Sequence, residues 1–380
     1  MGDTKPGNKK HCSRRSFLKK AFFGVAGTAA TARLGVWRTY DESIFLSEPG
    51  PGYDGDVLKV MSWNVAGWRR RSLPAGEAIG YQQRDISGTF AEALEFIRQE
   101  QPHILLTQED TSGNRGSHFF NAVALLHEEF GHAYYGKLFN YSYFGGLLEG
   151  GNYGNAIYSR FPLYDPQMFS FADEISVSPF GNPFTERPEL TSLDYPLTFL
   201  QDFFVGSKGV VSAGFSWKGR QVFFDNLHLG AGHVDPEREF QFELYINNVF
   251  NPTRMRLIGG DFNSPPNSKH HRLYDDGDDH TSDRSIQQAV LRMEELGLEK
   301  FVFWPVLGLH DRSFTHGEEY NTFPATDTET LAPRAPERAY DLIFGYAPRR
   351  NLEMISYRAM QDVHLSDHAP VIAEFALCNR

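Results

Sequence analysis

Short apolar segments alternate with a few amphipathic stretches along residues 57–377, and this alternation limits the fold more than any other feature. Val57–Val65 alternates apolar and polar side chains and contains β-branched residues, which predicts a strand. Thr89–Gln99 has helical periodicity and ends before Pro102, which predicts a helix. Lys218-Gly219 separates two further strand patterns and predicts a hairpin turn. The order of these patterns predicts a mixed α/β domain whose sheets are covered by helices.

The remaining elements follow from the same patterns. Further strands are predicted at Ile104–Thr107, Gly154–Ser159, Val210–Trp217, Gln221–His228, Arg256–Gly260, Tyr340–Phe344 and Val371–Phe375, and further helices at Pro236–Val249 and Ile286–Leu296. Gly113–Gly151 and Phe161–Gly206 are interpreted as long, loop-rich insertions, where specificity often resides. Residues 41–56 are rich in Gly, Pro and acids and are interpreted as a linker or an edge segment.

The first 32 residues have the pattern of an export signal. A polar, basic start leads to the pair Arg14-Arg15, the soft apolar run Ala21–Ala32 follows, and Ala30-Thr31-Ala32 offers a cleavage site. This resembles a twin-arginine signal, although an amphipathic helix with a chance arginine pair is the alternative. We therefore predict a signal peptide at 1–32, a linker at 33–56 and one domain at 57–377. The expected location is the periplasm or the medium, with the twin-arginine translocase as the partner during export.

Charge and cysteine content restrict what the mature chain can bind. Without the seven basic residues and one acidic residue of the signal, 30 basic and 47 acidic residues remain, a net charge of −17. Such a charge argues against a broad basic face that grips nucleic acid, but it allows a local basic strip or a site that carries a metal ion. Only Cys378 remains, which excludes a disulfide scaffold and a multi-cysteine metal site. The apolar run of the signal is 12 residues long, too short to span a bilayer, so we expect no stable membrane span. We also expect a monomer.

Polar residues of a few kinds stand where the apolar strands stop. They are Asn64, Glu109, His228, Asp261, Asn263, Asp341, Asp367 and His368. Singly, each has a structural explanation, such as an Asx-turn or a surface acid, but their joint occurrence favours a site. Carboxylate and amide oxygens suit Mg²⁺ or Mn²⁺, and histidines hold or relay protons near neutral pH. The set fits phosphoester hydrolysis by an activated water, whereas the sequence lacks the nucleophile-elbow and P-loop motifs.

Seven motifs in the chain carry a resemblance to a known superfamily. They are Ser62-Trp63-Asn64, Thr107-Gln108-Glu109, Gly154-Asn155-Ala156-Ile157, Leu227-His228-Leu229, Gly259-Gly260-Asp261-Phe262-Asn263, Tyr340-Asp341-Leu342-Ile343 and Ser366-Asp367-His368-Ala369-Pro370. In this order they resemble the endonuclease/exonuclease/phosphatase superfamily, which includes deoxyribonuclease I, abasic-site endonucleases, bacterial sphingomyelinases and inositol-polyphosphate phosphatases. The resemblance covers roughly residues 57–377. It implies a four-layer α/β/β/α sandwich of two mixed sheets flanked by helices, with the site at one edge.

The resemblance also implies a role for each strand-end residue. Asn64, Glu109 and Asp367 resemble the ligands of one Mg²⁺ or Mn²⁺ ion. Asp261 and Asn263 resemble the pair that contacts the attacking water and the phosphate.

The remaining roles concern the phosphate and the proton. His228 resembles a histidine that contacts the phosphate, and Tyr153 is the predicted aromatic contact. Asp341 and His368 resemble a pair in which the carboxylate orients the imidazole, so that His368 takes a proton from water. Asp261 is the alternative base.

The predicted activity is that of an exported, divalent-metal-dependent phosphodiesterase of the nuclease type. The alternatives within the superfamily are a phospholipid or sphingomyelin phosphodiesterase, which the aromatic stretch Tyr134–Tyr153 would suit, and an inositol or sugar phosphatase. The alternative of a different class is a non-catalytic binding module, against which the intact set of acids, amides and histidines argues. Leu227 stands where the superfamily often has Thr, which weakens any transfer of a particular substrate.

Overall fold

The computed structural model describes residues 36–38, 42–68, 86–113, 120–143, 148–171, 208–230, 235–263, 301–303, 322, 339–349 and 351–378. The strands are β1 (Val36–Arg38), β2 (Glu42–Leu46), β3 (Val57–Asn64), β4 (Ile104–Asp110), β5 (His132–Tyr143), β6 (Leu148–Ser159), β7 (Tyr164–Ser170), β8 (Gly209–Trp217), β9 (Arg220–His228), β10 (Met255–Asp261), β11 (Phe301–Phe303), β12 (Asp341–Tyr346), β13 (Leu352–Ala359) and β14 (Val371–Leu377). The helices are α1 (Ile86–Glu100), α2 (Ala122–Phe130) and α3 (Asp235–Asn248). The predicted signal at 1–32 and the predicted helix Ile286–Leu296 lie outside these residues. Within them, no helix is both long and apolar enough to cross a membrane.

The strands form two mixed sheets. The first has the order β1-β5-β6-β4-β3-β14-β13, with β2 also paired to β5, and the second has the order β11-β12-β10-β9-β8-β7. Strand β3 runs parallel to β4 and β9 runs parallel to β10, whereas β10 pairs antiparallel with β12. Each sheet therefore contains both parallel and antiparallel neighbours.

Each parallel pair is built around a helix, because parallel neighbours need a crossover connection. Helix α1 lies in sequence between β3 and β4, and α3 lies between β9 and β10. The two strands of such a pair end at the same edge of their sheet. Asn64 ends β3, His228 ends β9 and Asp261 ends β10, so the topology gathers these polar residues at strand ends.

Alternation along the strands divides the apolar side chains among three cores. Val60 of β3 packs between the sheets with Leu257 of β10, whereas Met61 faces the helices and packs with Ile97 of α1. On the outer face of the second sheet, Ile258 packs against Tyr245 of α3. Helices thus cover both outer faces, which confirms the predicted four-layer α/β/β/α sandwich.

Three stretches differ from the sequence predictions. Gly113–Gly151 was predicted to be loop-rich, but it contains α2, β5 and the start of β6, and β5 pairs with β6 over most of its length. Because β5 pairs with a segment later in the chain, it forms a strand in spite of the local glycine residues. Phe161–Gly206 likewise contains β7. Part of the predicted linker, residues 33–56, belongs to the first sheet, because β2 pairs with β5 as an edge strand.

Candidate active site

Asn64 links the two sheets at the edge where β3 ends. Its Nδ2 donates to Asp261 Oδ2 of the second sheet at 2.9 Å, and its Oδ1 accepts from Ala66 N at 3.1 Å. The Ser366 hydroxyl donates to the Asn64 carbonyl at 2.7 Å and lies 3.2 Å from Asp367 Oδ1. The segment that precedes β14 therefore places Asp367 next to Asn64.

Glu109 lies on the adjacent strand, β4, in an irregular stretch of backbone. Its φ is 56°, and the pairing of β4 with β6 shifts register between Thr107 and Asp110. The side chain is 39 % exposed, with Oε1 3.8 Å from His228 Nε2 and 3.9 Å from Lys208 Nζ. Burial pushes the pKa of Glu109 upwards, but the charges of Lys208 and His228 outweigh burial and lower it. Glu109 is therefore an ionised side chain that remains open to solvent.

Gly260 explains how β9 and β10 approach one another beside the site. Its φ is 150°, and a Cβ at this position would lie 1.9 Å from the carbonyl oxygen of Leu227. Only glycine can occupy such a position. The close approach places Asp261 opposite His228 in the strand register.

Asp261 is the central acceptor of the site and is buried. Its Oδ1 accepts from the backbone N of Asn263 at 2.8 Å, and its Oδ2 accepts from the side-chain amides of Asn64 at 2.9 Å and Asn263 at 3.1 Å. Burial raises the pKa of Asp261, but the charges of His368 and His228 outweigh burial and hold the pKa well below its usual range. The predicted Asx-turn is thus present, and the same carboxylate faces the site.

His228 and Lys208 form one side of the site. Lys208 Nζ lies 2.5 Å from His228 Nε2, which itself lies 3.3 Å from Asp261 Oδ2. Burial lowers the pKa of His228, and the charge of Lys208 lowers it further.

Lys208 was not predicted from the sequence as a residue of the site. It immediately precedes β8, and the only signal was a single basic residue before a strand, in Ser207-Lys208-Gly209. Many strands begin after a lysine, so this pattern does not distinguish a site residue from a solvated one.

Asp341 and His368 form a buried pair on the other side. His368 Nδ1 lies 2.7 Å from Asp341 Oδ2, and Nε2 lies 3.8 Å from Asp261 Oδ2. Burial lowers the pKa of His368, but the negative charges of Asp341 and Asp261 outweigh it and raise the pKa to about 10. The Asp341 backbone N is held by Thr322 Oγ1 at 3.1 Å. The imidazole is therefore protonated at neutral pH in the metal-free protein.

The structure brings all eight strand-end residues into one connected group, through the contacts given above. Tyr153 lies on β6, half-buried and paired with Phe139 in the register. It is two residues from Asn155, and alternate residues of a strand share a face, so Tyr153 lies on the face that points to the second sheet. Its contact with phosphate stays a prediction.

Two sets of residues could hold a divalent ion. Among the described residues, Asp261, Asp341 and His368 have ligand atoms within 4.8 Å of one another. Asp341 Oδ2 and His368 Nδ1 already hydrogen-bond to each other, so an ion there would be held by Asp341 Oδ1 and His368 Nε2 if this pair stays intact.

The predicted ligands Asn64, Glu109 and Asp367 are the second set, and their role as ligands stays a prediction. Burial raises the pKa of Asp367, and repulsion from the negative charge of Glu109 raises it further. A cation would relieve this repulsion, and the donors are the hard oxygen atoms that Mg²⁺ and Mn²⁺ prefer.

A layer of buried amides joins the two sheets beneath the site. Gln108 Nε2 donates to Asn226 Oδ1 at 2.7 Å, across the sheets. Asn226 Nδ2 donates to the carbonyls of Thr107 and Ala156, each at 2.8 Å, and the Asn226 carbonyl accepts from Asn155 Nδ2 at 3.2 Å. These hydrogen bonds fix strand β9 against β4 and β6 next to the residues of the site.

The sequence profile of the Endonuclease/Exonuclease/phosphatase family matches residues 61–368, which include every strand-end residue of the site. The chain belongs to this family. Its members are phosphoester hydrolases. No curated protein sequence gives a significant match to the chain.

Solved structures share the fold of this family member. An endonuclease/exonuclease/phosphatase from Beutenbergia cavernae is 16% identical, with a TM-score of 0.55 over 85% of this chain and 72% of that one. D. rerio TDP2 complexed with a single strand DNA product is 12% identical, with a TM-score of 0.49 over 84% of this chain and 98% of that one. The human Nocturnin catalytic domain with a bound sulfate anion is 15% identical, with a TM-score of 0.49 over 90% of this chain and 97% of that one. The likeness to the Beutenbergia protein shows a common fold.

Proposed function

We propose that the protein is a divalent-metal-dependent phosphodiesterase that hydrolyses its substrate with an activated water. The observation that carries this proposal is the convergence of the Asn64 amide and the imidazoles of His228 and His368 on Asp261 Oδ2, at the edge where strands of both sheets end. A binding module would not need both an ionised acceptor and an imidazolium directed at the same point.

In this proposal Asn64, Glu109 and Asp367 hold Mg²⁺ or Mn²⁺. The bound ion would polarise a phosphoryl oxygen and offset the negative charge that develops on the leaving oxygen. Lys208 and Asn263 would donate to the remaining phosphoryl oxygens, and the Asn263 amide would then give up one of its hydrogen bonds to the Leu229 carbonyl and Asp261. Lys208 would then exchange its contact with His228 for one with the phosphate.

The sequence favoured His368 as the base, but the geometry supports Asp261 instead. His368 lies between two carboxylates, which raise its pKa to about 10, so a protonated Nε2 has no lone pair with which to accept a proton from water. Asp261 is ionised and buried, and in this proposal its Oδ2 would take the proton of the attacking water. The imidazolium of His368, oriented by Asp341, would stabilise the negative phosphoryl oxygens.

The experiment that tests this function is a substrate panel on the purified protein. It contains supercoiled DNA, single-stranded RNA, sphingomyelin, phosphatidylinositol and inositol phosphates, each with Mg²⁺, Mn²⁺ or EDTA. We expect metal-dependent hydrolysis of a phosphodiester, with nucleic acid as the first candidate, and loss of that activity in Asp261→Asn. Hydrolysis of the phosphomonoesters alone would show that the enzyme is a phosphatase and not a phosphodiesterase. Full activity in EDTA with no retained metal would exclude the metal-dependent mechanism.

Export by the twin-arginine pathway is a second part of the proposal, and the sequence of residues 1–32 supports it. An exported hydrolase without a disulfide is compatible with this route, which transports folded proteins. The enzyme would then act in the periplasm or in the medium.

A further inference from the structure

Asp110 is a fully buried carboxylate to which the mechanism gives no task. Its two oxygens accept four hydrogen bonds: Oδ1 from Trp68 Nε1 at 2.7 Å and Thr111 N at 2.8 Å, and Oδ2 from Thr107 Oγ1 at 2.7 Å and Tyr158 OH at 2.6 Å. No cation forms an ion pair with it in the part of the chain that the structure describes. A buried carboxylate is expensive to desolvate, so four converging donors point to a specific structural task.

Trp68 connects Asp110 to the segment that carries Asn64. It ends a short turn, Ala66–Trp68, in which all three residues have positive φ values of 46°, 66° and 58°. Left-handed backbone is unfavourable for alanine and tryptophan, so the surroundings must hold this turn in place. The turn sets the position of Ala66 N, which donates to the side-chain oxygen of Asn64. The Trp68 side chain has one hydrogen-bond donor, Nε1, and this atom donates to Asp110.

Asp110 also closes the irregular stretch of β4 that presents Glu109. The hydrogen bond from Thr107 spans this stretch, and the one from Tyr158 joins it to β6. Glu109 lies inside the closed stretch with a φ of 56°. One carboxylate therefore restrains the backbone on both sides of the space between Asn64 and Glu109.

We propose that the Trp68–Asp110 hydrogen bond is a positioning contact that holds Asn64 and Glu109 at the spacing needed to bind the divalent ion. The inference rests on the proposed function, because it concerns the same ion. Neither residue contacts the ion; each acts through the backbone that carries a ligand. Partners of this kind typically contribute about 10- to 100-fold to metal affinity or activity.

The test is the Mn²⁺ affinity of the full-length protein, measured by electron paramagnetic resonance of free Mn²⁺. Trp68→Phe removes the indole donor, keeps an aromatic ring and changes no charge. Trp217→Phe is the matched control, because Trp217 is equally buried and its Nε1 donates to Gly55 O at 2.8 Å, at the opposite end of β8 from the site. We expect Trp68→Phe to weaken Mn²⁺ binding about tenfold or more, and Trp217→Phe to leave it within about twofold.

Turnover separates positioning from general damage. At saturating Mn²⁺, Trp68→Phe should regain the wild-type turnover number, because its ligands and its catalytic groups are intact. An unchanged Mn²⁺ affinity in folded Trp68→Phe would overturn the inference while leaving the proposed function in place. If the wild-type protein binds no Mn²⁺ or Mg²⁺, the proposed function fails and the inference fails with it.

A double variant tests whether the hydrogen bond between Trp68 and Asp110 accounts for the loss of Mn²⁺ affinity. Asp110→Leu removes the acceptor and also a negative charge near the ion, so its loss of affinity should be larger than that of Trp68→Phe. In the combined variant Trp68→Phe should add little to Asp110→Leu, because the bond is already lost. Fully additive losses would show that the two residues act separately and would overturn the inference. If Asp110→Leu does not fold, the comparison of Trp68→Phe with Trp217→Phe decides.

Discussion

His368 Nδ1 lies 2.7 Å from Asp341 Oδ2, and both side chains are buried at the edge of the sandwich. Asp341 begins β12 and pairs with Asp261 in the strand register, so the second sheet supplies a carboxylate to each side of the imidazole. His368 is therefore fixed in orientation and in charge. The proposed mechanism therefore uses His368 to stabilise the phosphate and Asp261 to take the proton.

Removing the imidazole should cost more activity than removing its orienting carboxylate. We expect His368→Gln to lower the turnover number about 10²–10³-fold, as the loss of a donor to a developing oxyanion does. Asp341→Asn should leave a larger remnant, because an amide oxygen can still accept from Nδ1. Turnover with saturating metal measures both, with circular dichroism as the folding control. A folded His368→Gln protein with activity close to wild type would remove this residue from the mechanism.

The metal-free protein should lose stability as the pH rises. The folded-state pKa of His368 is raised to about 10, above the ordinary 6.5, because Asp341 and Asp261 outweigh burial. A raised pKa contributes stability that is complete below about pH 6.5 and is lost as the pH rises through about 10. Urea unfolding in EDTA should therefore show the largest deficit of His368→Gln near pH 6 and a smaller one near pH 10. A constant deficit across this range would contradict the charged pair.

Glu109→Gln should weaken binding of the divalent ion. The substitution removes one carboxylate charge and leaves Asn64 and Asp367 as ligands, so activity should fall at low Mg²⁺ and recover in part at high Mg²⁺. A titration of activity against Mg²⁺ and Mn²⁺ measures the shift. Glu95→Gln, in the exposed part of α1, is the control and should not change the midpoint. Equal metal dependence in both variants would exclude Glu109 as a ligand.

Lys208→Met should weaken the productive binding of substrate. If Lys208 donates to a phosphoryl oxygen, its loss should reduce kcat/KM by about 10- to 100-fold, the effect of a lost charge-assisted hydrogen bond. Lys218→Met is the matched control, because Lys218 lies at the other end of β8 and forms an ion pair with Asp56. Steady-state kinetics on the identified substrate compare the two. A similar effect of both substitutions would mean that Lys208 acts through overall charge.

Replacing Arg14-Arg15 by Lys-Lys should block export. The guanidinium group is planar and presents a fixed fork of donors, which lysine lacks, so the translocase should not accept the variant. Cell fractionation followed by immunodetection measures the distribution. Replacing Lys9-Lys10 by Arg-Arg, in the same segment, is the control and should be exported. Normal export of the Lys-Lys variant would exclude the predicted signal.

Local patterns were sufficient to predict the strands that carry the site. β3, β9, β10 and β14 all begin and end within two residues of their predicted bounds, because apolar alternation and the polar residue at the strand end are both local signals. The strand-end residues also came together as the motif order implied. The helical layers could be predicted as well, because helical patterns alternate with these strand patterns along the sequence.

Contacts between distant segments were not predictable in this way. β5 was hidden in an aromatic and glycine-containing stretch, because its stability comes from pairing with β6 and β2. Lys208 gives no local signal, since its role depends on His228, 20 residues away. The charge of His368 could not be predicted from the sequence either, because it depends on two carboxylates from other strands.

The amide layer beneath the site has a consequence for how the sequence can diverge. Asn226 bonds to backbone carbonyls of β4 and β6, which every residue type supplies, so these directional bonds contribute to the offset between the sheets whichever side chains stand at the two carbonyl positions. We therefore expect that exchanging residues of the inter-sheet core for others of similar volume lowers stability more than it shifts the groups that would meet a phosphate.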